Sequence, residues 1–187
     1  LHKFYNVNQT KETQFDVLSA FEAKIYEKAD GSSIHAFLHN GELRCATRRS
    51  SLTAQAKDAQ AFVERNPLVR ELIFGIIQEG YTPVFEFVAP HNQVVVQYPK
   101  PRLIYLVSRN RSTGLYHFHE GFPDTVQSFS FPFADIHSQL AKEEFEGYVC
   151  HLNNGMVVKV KTPWYLERHR AVDSLMRPLY KLYQVVF

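Results

Sequence analysis

Tyr26-Glu27-Lys28-Ala29-Asp30-Gly31-Ser32-Ser33 is the stretch on which the reading of this chain turns. A lysine stands at the end of an alternating apolar segment (Phe21, Ala23, Ile25), the pattern of a strand. An Asp-Gly turn and two hydroxyls follow at once. That order sets one amine at the rim of a sheet, beside a backbone turn and small donors that can face a phosphate. A lysine is a nucleophile only once it has lost its proton, and nearby cations favour that loss. The chain supplies Lys159 and Lys161 much later. Taken alone, Lys-x-Asp-Gly more often describes an ordinary exposed hairpin, so its meaning depends on what surrounds it.

Working outward, Ser33–His39 and Glu42–Thr47 flank Asn40-Gly41, which predicts a hairpin through a type I′ turn. Ser51 is expected to cap a helix from Leu52 to about Arg65. Asn66-Pro67 opens another, with Leu68, Val69, Leu72, Ile73, Ile76 and Ile77 at helical spacing and Gly80 as its end. Beyond Gly80 the period falls to two, so Thr82–Ala89, Gln93–Tyr98 and Arg102–Ser108 read as strands. A turn at Ser112-Thr113-Gly114 leads into a further run, Leu115–His119. Asp16–Phe21 and Ala134–Glu144 read as short helices. A second hairpin joins Phe145–Leu152 to Met156–Thr162 through Asn153-Asn154-Gly155. From Trp164 a helix carrying Leu166, Val172, Leu175 and Leu179 is expected. This grouping of strands and helices is the α+β class, with residues 1–187 as one domain.

At 187 residues, with 45% hydrophobic and 21% charged, the chain suits one well-buried soluble domain. A net charge of +2 does not by itself indicate a nucleic-acid partner. Cys45 and Cys150 form no CxxC pair, so neither zinc nor a disulfide framework is suggested. No apolar run approaches the roughly 20 residues of a membrane span. The chain thus reads as soluble and intracellular, with no membrane partner. It begins at Leu1 without methionine and stops at Phe187 within an apolar run, which reads as a piece of something longer.

Strand-borne polar residues are the candidates for chemistry. Glu86 is a charge inside Val84-Phe85-Glu86-Phe87-Val88; an outward-facing strand glutamate would look the same. Glu146 opens the second hairpin, and Lys159 and Lys161 alternate on its returning strand, so they share a face. A solvated basic face with a cross-strand ion pair is the plainer reading. Arg48 stands beside Arg49, and paired arginines are usually surface. His117 and His119 alternate next to Glu120, without a matching third and fourth metal ligand. Together, one amine, two strand carboxylates and three cations form a set suited to a nucleoside triphosphate. Carboxylates hold a divalent metal, and cations stabilise phosphate as charge moves to the leaving group.

The ordered set Lys28-Ala-Asp-Gly-Ser, Arg48, Phe85-Glu86-Phe-Val, Glu146-Gly-Tyr-Val and Lys159-Val-Lys161-Thr-Pro-Trp-Tyr165 resembles the covalent nucleotidyltransferases, the superfamily of ligases and capping enzymes. It is most similar to the RNA ligase 1 branch of T-even bacteriophages. The run Phe85-Glu86-Phe87-Val88 with Pro90 and Asn92, then Val94-Val95-Val96 and Tyr98, also resembles that branch. The resemblance implies an ATP-grasp-like nucleotidyltransferase core of antiparallel and mixed sheets flanked by helices. It implies that Lys28 takes AMP from ATP, passes it to an RNA 5′-phosphate, and that a 3′-hydroxyl then seals the strands. Implied roles are ribose or metal-bound water for Glu86, metal (Mg2+ or Mn2+) for Glu146 with Glu86, and α-phosphate for Lys159 and Lys161. Arg48 would hold ribose or phosphate, Val149 would pack on the adenine, and Tyr165 would position nucleotide or RNA; Glu27 and Asp30 complete the nucleotide set. Implied partners are RNA ends, nicked tRNA among them, acted on by a monomer in the cytoplasm, that of a host cell if a phage encodes it. Family members carry more residues before the nucleophile and a further C-terminal domain. Three alternatives stay open: a DNA ligase, a GTP-using capping-type enzyme, and a domain that binds nucleotide or RNA without turnover.

Overall fold

The computed structural model describes residues 4–140, 145–172 and 174. In chain order the elements are β1 (Tyr5–Asn6), α1 (Phe15–Leu18), β2 (Ala23–Glu27), β3 (Ser32–His39), β4 (Glu42–Ala46), α2 (Ala54–Glu64) and α3 (Pro67–Gln78). Then come β5 (Tyr81–Val88), β6 (Arg102–Asn110), β7 (Tyr116–His117), β8 (Ser128–Phe129), α4 (Ile136–Gln139), β9 (Gly147–Leu152) and β10 (Val157–Lys161). Residues 163–172 form a last described helix. The α+β class expected from the sequence is what the chain adopts.

The chain packs as two units. One comprises Ala29–Gln93 and Gln97–Gln127. Its sheet runs β4-β3-β5-β6-β7, with neighbours antiparallel. Ile34, Ala36, Cys45, Phe85, Phe87, Leu103 and Tyr105 point from one face of this sheet into a core closed by Ala59 and Val63 of α2 and Val69, Ile73, Ile76 and Ile77 of α3. The other unit holds the described residues up to Lys28, Val94–Val96 and the described residues from Ser128 onward. Its sheet runs β1-β10-β9-β2-β8. Ile25, Tyr148, Cys150, Leu152, Val158 and Val160 face its core, covered by Leu18 of α1 and by Phe133, Ile136 and Leu140.

Local chemistry explains most elements. Asn40 and Gly41 take φ of 51° and 78°, both positive as a type I′ turn requires, and the β3–β4 hairpin closes on them. Pro67 opens α3, and Gly80, at φ 91°, follows its end. The expected start of α2 moves by two residues. Thr53 rather than Ser51 caps it, its Oγ1 accepting from the Ala56 N–H at 3.3 Å. Ser50 and Ser51 are spent in the preceding turn, where the Ser50 N–H donates to Thr47 Oγ1.

Gln93–Tyr98 does not form the expected strand: residues 94–96 are a bend outside both sheets. The short 3₁₀ turn Pro90–Asn92 turns the chain out of β5, and Asn92 Nδ2 ties that turn to the Phe87 carbonyl at 2.8 Å. Proline at 99 and 101 then removes the donors a ladder would need. Ala134–Glu144 splits into a 3₁₀ turn, Phe133–Asp135, and α4; residues 141–144 lie outside the described residues. Leu175 and Leu179 of the expected final helix also lie outside them, and its Leu166 and Val172 are each 38% exposed. β1 and β8, two residues each, are too short for periodicity to reveal. Among the described residues, no helix is long and apolar enough to cross a membrane.

Candidate active site

In the second unit, three strand ends meet because their register brings them together. Gly147 pairs with Lys161 across β9 and β10, and Glu27 pairs with Tyr148 across β2 and β9. The Lys28 N–H donates to the Gly147 carbonyl at 2.8 Å, and the Thr162 N–H donates to the Glu146 carbonyl at 2.9 Å. Lys161, in the last of these pairs, and Lys28 and Glu146, just beyond them, are thereby fixed side by side.

Glu146 is 3% exposed, and its two oxygens are shared between two amines. Lys28 Nζ donates to Oε2 at 2.8 Å, and Lys161 Nζ lies 3.0 Å from Oε1. Burying a lone carboxylate at such depth is costly; two partners with access to solvent offset the cost. Two cations against one anion leave the cluster with a positive excess, which suits a phosphate. Lys161 Nζ also sits 4.5 Å from the centroid of the Tyr165 ring. Tyr165, 2% exposed, is fixed by the helix start: Thr162 Oγ1 accepts from its N–H at 3.0 Å and donates to the Phe145 carbonyl at 2.7 Å.

Gly147 is what lets the strands close here. Its φ is 147°, and a Cβ on it would stand 1.9 Å from the Val160 oxygen. Only glycine fits between Glu146 and the returning strand.

Away from the core, the same sheet presents a second row. Tyr26 pairs with Val149, and Val149 with Lys159. Val149 and Lys159 thus share a face with Lys161, whereas Glu27, opposite core-facing Tyr148, is on the other side. Farther along, Lys24 pairs with His151, and the rings of Tyr26 and His151 meet edge to face at 5.7 Å. Burial, with the charge of Lys24 adding to it, pulls the His151 pKa down to about 4, so this imidazole is neutral at pH 7. The sequence reading did not single out Tyr26 or His151. The alternation Lys24-x-Tyr26-x-Lys28 and Val149-x-His151 was the available signal.

The first unit carries the remaining candidates. Asp30 is 3% exposed, and its N–H donates to the Tyr98 hydroxyl at 3.1 Å. Glu86, 9% exposed, accepts from the Gly31 N–H at 3.1 Å and pairs in register with Ser33. Ser32 Oγ donates to Asn92 Oδ1 at 3.1 Å, so Asp30-Gly31-Ser32 is pinned to β5 and the turn after it. A Cβ at Gly31 would come within 2.4 Å of the Phe87 oxygen, the physical reason that a glycine follows the aspartate. Arg48 is exposed, in the turn after β4, and forms no ion pair among the described residues. His119 meets Tyr105 and Glu79 rather than Glu120, and the His117 and His119 rings meet edge to face at 4.6 Å. Among the described residues, no group of three acidic, histidine or cysteine side chains could hold a metal ion.

Comparison with known proteins gives a consistent answer. Residues 1–165 match the family model described as RNA ligase, of the T4 RNA ligase 1 type. A protein of Thermovibrio ammonificans named as a candidate RNA ligase is 27% identical over 198 residues, covering 98% of this chain and 52% of that protein. RNA ligase 1 of bacteriophage TS2126 is 28% identical over 201 residues, covering 95% of this chain and 48% of its own length. The chain therefore spans about half the length of these curated relatives. In structure it resembles a lysine-to-alanine mutant of Naegleria gruberi RNA ligase solved with ATP and Mn. That match has a TM-score of 0.64 at 14% identity, over 89% of this chain and 56% of the other.

Proposed function

This chain belongs to the RNA ligase family of the T4 RNA ligase 1 type, and from that membership we propose that it is the catalytic, AMP-accepting part of an ATP-dependent RNA ligase. The observation that carries the reading is the buried Glu146 carboxylate joining Lys28 to Lys161 at 2.8 and 3.0 Å. It holds one amine in a fixed place, next to a cation and within a positive cluster. The two units would act as one adenylyltransferase domain.

The first reaction is attack of the neutral Lys28 amine on the α-phosphorus of ATP. An N–P bond forms, the P–O bond to pyrophosphate breaks, and the departing diphosphate carries the electron pair. Glu146 stands within hydrogen-bond reach of the proton that must leave. Lys161 and Lys159 stabilise the α-phosphate as charge moves to the leaving group. Val149 supports the base, Arg48 and Glu86 serve ribose and phosphate, and Asp30 and Tyr165 complete the nucleotide set; Glu27, whose side chain is on the sheet's other face, could serve it only through its backbone.

A divalent ion, Mg2+ or Mn2+, would add positive charge on the phosphates when bound. The carboxylates for it are Glu146 and Glu86. Both oxygens of Glu146 are engaged by lysines, so such an ion would draw most of its ligands from nucleotide and water, as is usual for magnesium. The N. gruberi ligase solved with ATP and Mn supports this pairing of nucleotide and metal.

AMP then passes from Lys28 to the 5′-phosphate of RNA, and attack by a 3′-hydroxyl seals the strand and frees AMP. The proposed substrates are RNA ends, nicked tRNA included, handled by a monomer in the cytoplasm, that of the host cell if a phage encodes it. The test is end joining of a 5′-phosphorylated single-stranded RNA by the full-length protein with ATP and magnesium, with GTP in parallel. Joined product with ATP and none from Lys28→Ala supports the reading. Lysine-linked GMP without joining overturns it in favour of a capping-type enzyme.

A further inference from the structure

The first unit's sheet has a second face, opposite its core, and its register sets a row of side chains across that face. Phe37 pairs with Arg44 across β3 and β4. Arg109 pairs with Thr82 across β5 and β6 and with Tyr116 across β6 and β7. His35 pairs with Val84, and Phe37 and Thr82 each lie two residues farther on, so alternation keeps them on one face. Core-facing Ala36, Cys45 and Phe85 set the side on β3, β4 and β5, and a register shift between Val84 and Phe85 brings Arg109, paired with Thr82, to the same outer side. Arg44, Phe37, Thr82, Arg109 and Tyr116 thus run from one edge strand to the other. Five strands about 4.8 Å apart make a track of roughly 19 Å.

The track alternates cations with aromatic rings. Arg44 is 47% exposed, and its partner is Glu42, itself 68% exposed. An exposed pair of that kind is weak and yields readily to a phosphate. Arg109 hydrogen-bonds the Tyr116 hydroxyl, while its Nε is buried without a partner. The guanidinium thus lies beside a phenol ring. Phe37 stands between the arginines' columns, neither fully buried nor fully exposed, with the His35 ring 6.1 Å away.

We infer that this row is a docking track for single-stranded RNA, in which Phe37 and Tyr116 offer faces to bases while Arg44 and Arg109 take backbone phosphates. The chemistry is that of sequence-tolerant single-strand binding, stacking planes interleaved with cations. The inference rests on the proposed ligase reading for its choice of RNA. The track belongs to the first unit, whereas Lys28, Glu146 and Lys161 belong to the second.

The experiment measures binding of a short, 3′-fluorescein-labelled, 5′-phosphorylated oligo(A) by anisotropy, using the full-length protein. Variants are Phe37→Ala and Arg44→Glu, singly and together; Arg44→Glu is the safer fold because its side chain is exposed. Variants are compared with wild type by circular dichroism and melting temperature. Expected results are a loss of affinity of roughly tenfold for Phe37→Ala and a reduced salt slope for Arg44→Glu. Binding within about twofold of wild type in both variants overturns the track, as does a wild type that does not bind the oligonucleotide. Labelling of the wild type by ATP without RNA is read separately, so failure of the ligase reading is distinguishable from failure of the track.

Discussion

Gly147→Ala is the substitution that most directly strains the candidate site. The new Cβ would lie 1.9 Å from the Val160 oxygen and 2.8 Å from Lys161 Cα, against the 3.4 Å at which ordinary contact begins. Relief requires β9 and β10 to part locally by about 1.5 Å, which no side-chain rotation can supply because the clash is with backbone. Parting them breaks the 2.9 Å bond from Thr162 N–H to the Glu146 carbonyl and loosens the 2.8 Å bond from Lys28 N–H to Gly147. Two such bonds are worth about 1 kcal/mol each. Holding alanine at a φ of 147° adds about 1–3 kcal/mol. The expected loss is about 3–5 kcal/mol, a large part of the roughly 5–15 kcal/mol that holds a domain together. Urea unfolding followed by fluorescence gives that number, and labelling by ATP should fall with it because Glu146 and Lys161 lose their register. A variant within about 0.5 kcal/mol of wild type, labelled at the normal rate, would refute the argument that close strand approach builds the site.

Three further outcomes are expected. Thr162→Val removes a hydroxyl that donates at 2.7 Å and accepts at 3.0 Å in full burial, and should cost about 1–3 kcal/mol in chemical denaturation. His151 has its pKa pulled down to about 4 by burial and Lys24. Its contribution to stability is therefore complete above the ordinary value near 6.5 and is lost as pH falls toward 4, by up to about 1.4 kcal/mol per pH unit. His151→Phe should flatten the stability profile in that window; an unchanged slope would show that His151 is not the titrating group. Burial pushes the Cys45 and Cys150 thiols up to about 12, so neither should react with a disulfide reagent at pH 8 until the chain unfolds. Fast labelling of the native protein would contradict their placement.

Much of the fold was legible because its signals are local. Asn40-Gly41 and Pro67 with Gly80 act through their own backbone angles, and the hairpin and helix they predict are present. Gln93–Tyr98 misled because Val94, Val95 and Val96 are a β-branched run of the kind strands favour, while the turn before them and the prolines after them keep the segment out of both sheets. β1 and β8 exist only through long-range pairing with β10 and β2, which no short window contains. Lys28, Glu146 and Lys161 could each be nominated from strand ends, but the shared carboxylate depends on register between β9 and β10. Gly147 shows the same limit: its need is set by Val160 across the hairpin, not by its neighbours in the chain.

The most direct test of the central claim is the intact mass of the protein after incubation with ATP and magnesium, followed by peptide mapping of the adduct. The account predicts one added AMP, located on Lys28 and absent from Lys28→Ala. An adduct of the same mass on another residue, or one that persists in Lys28→Ala, would contradict it.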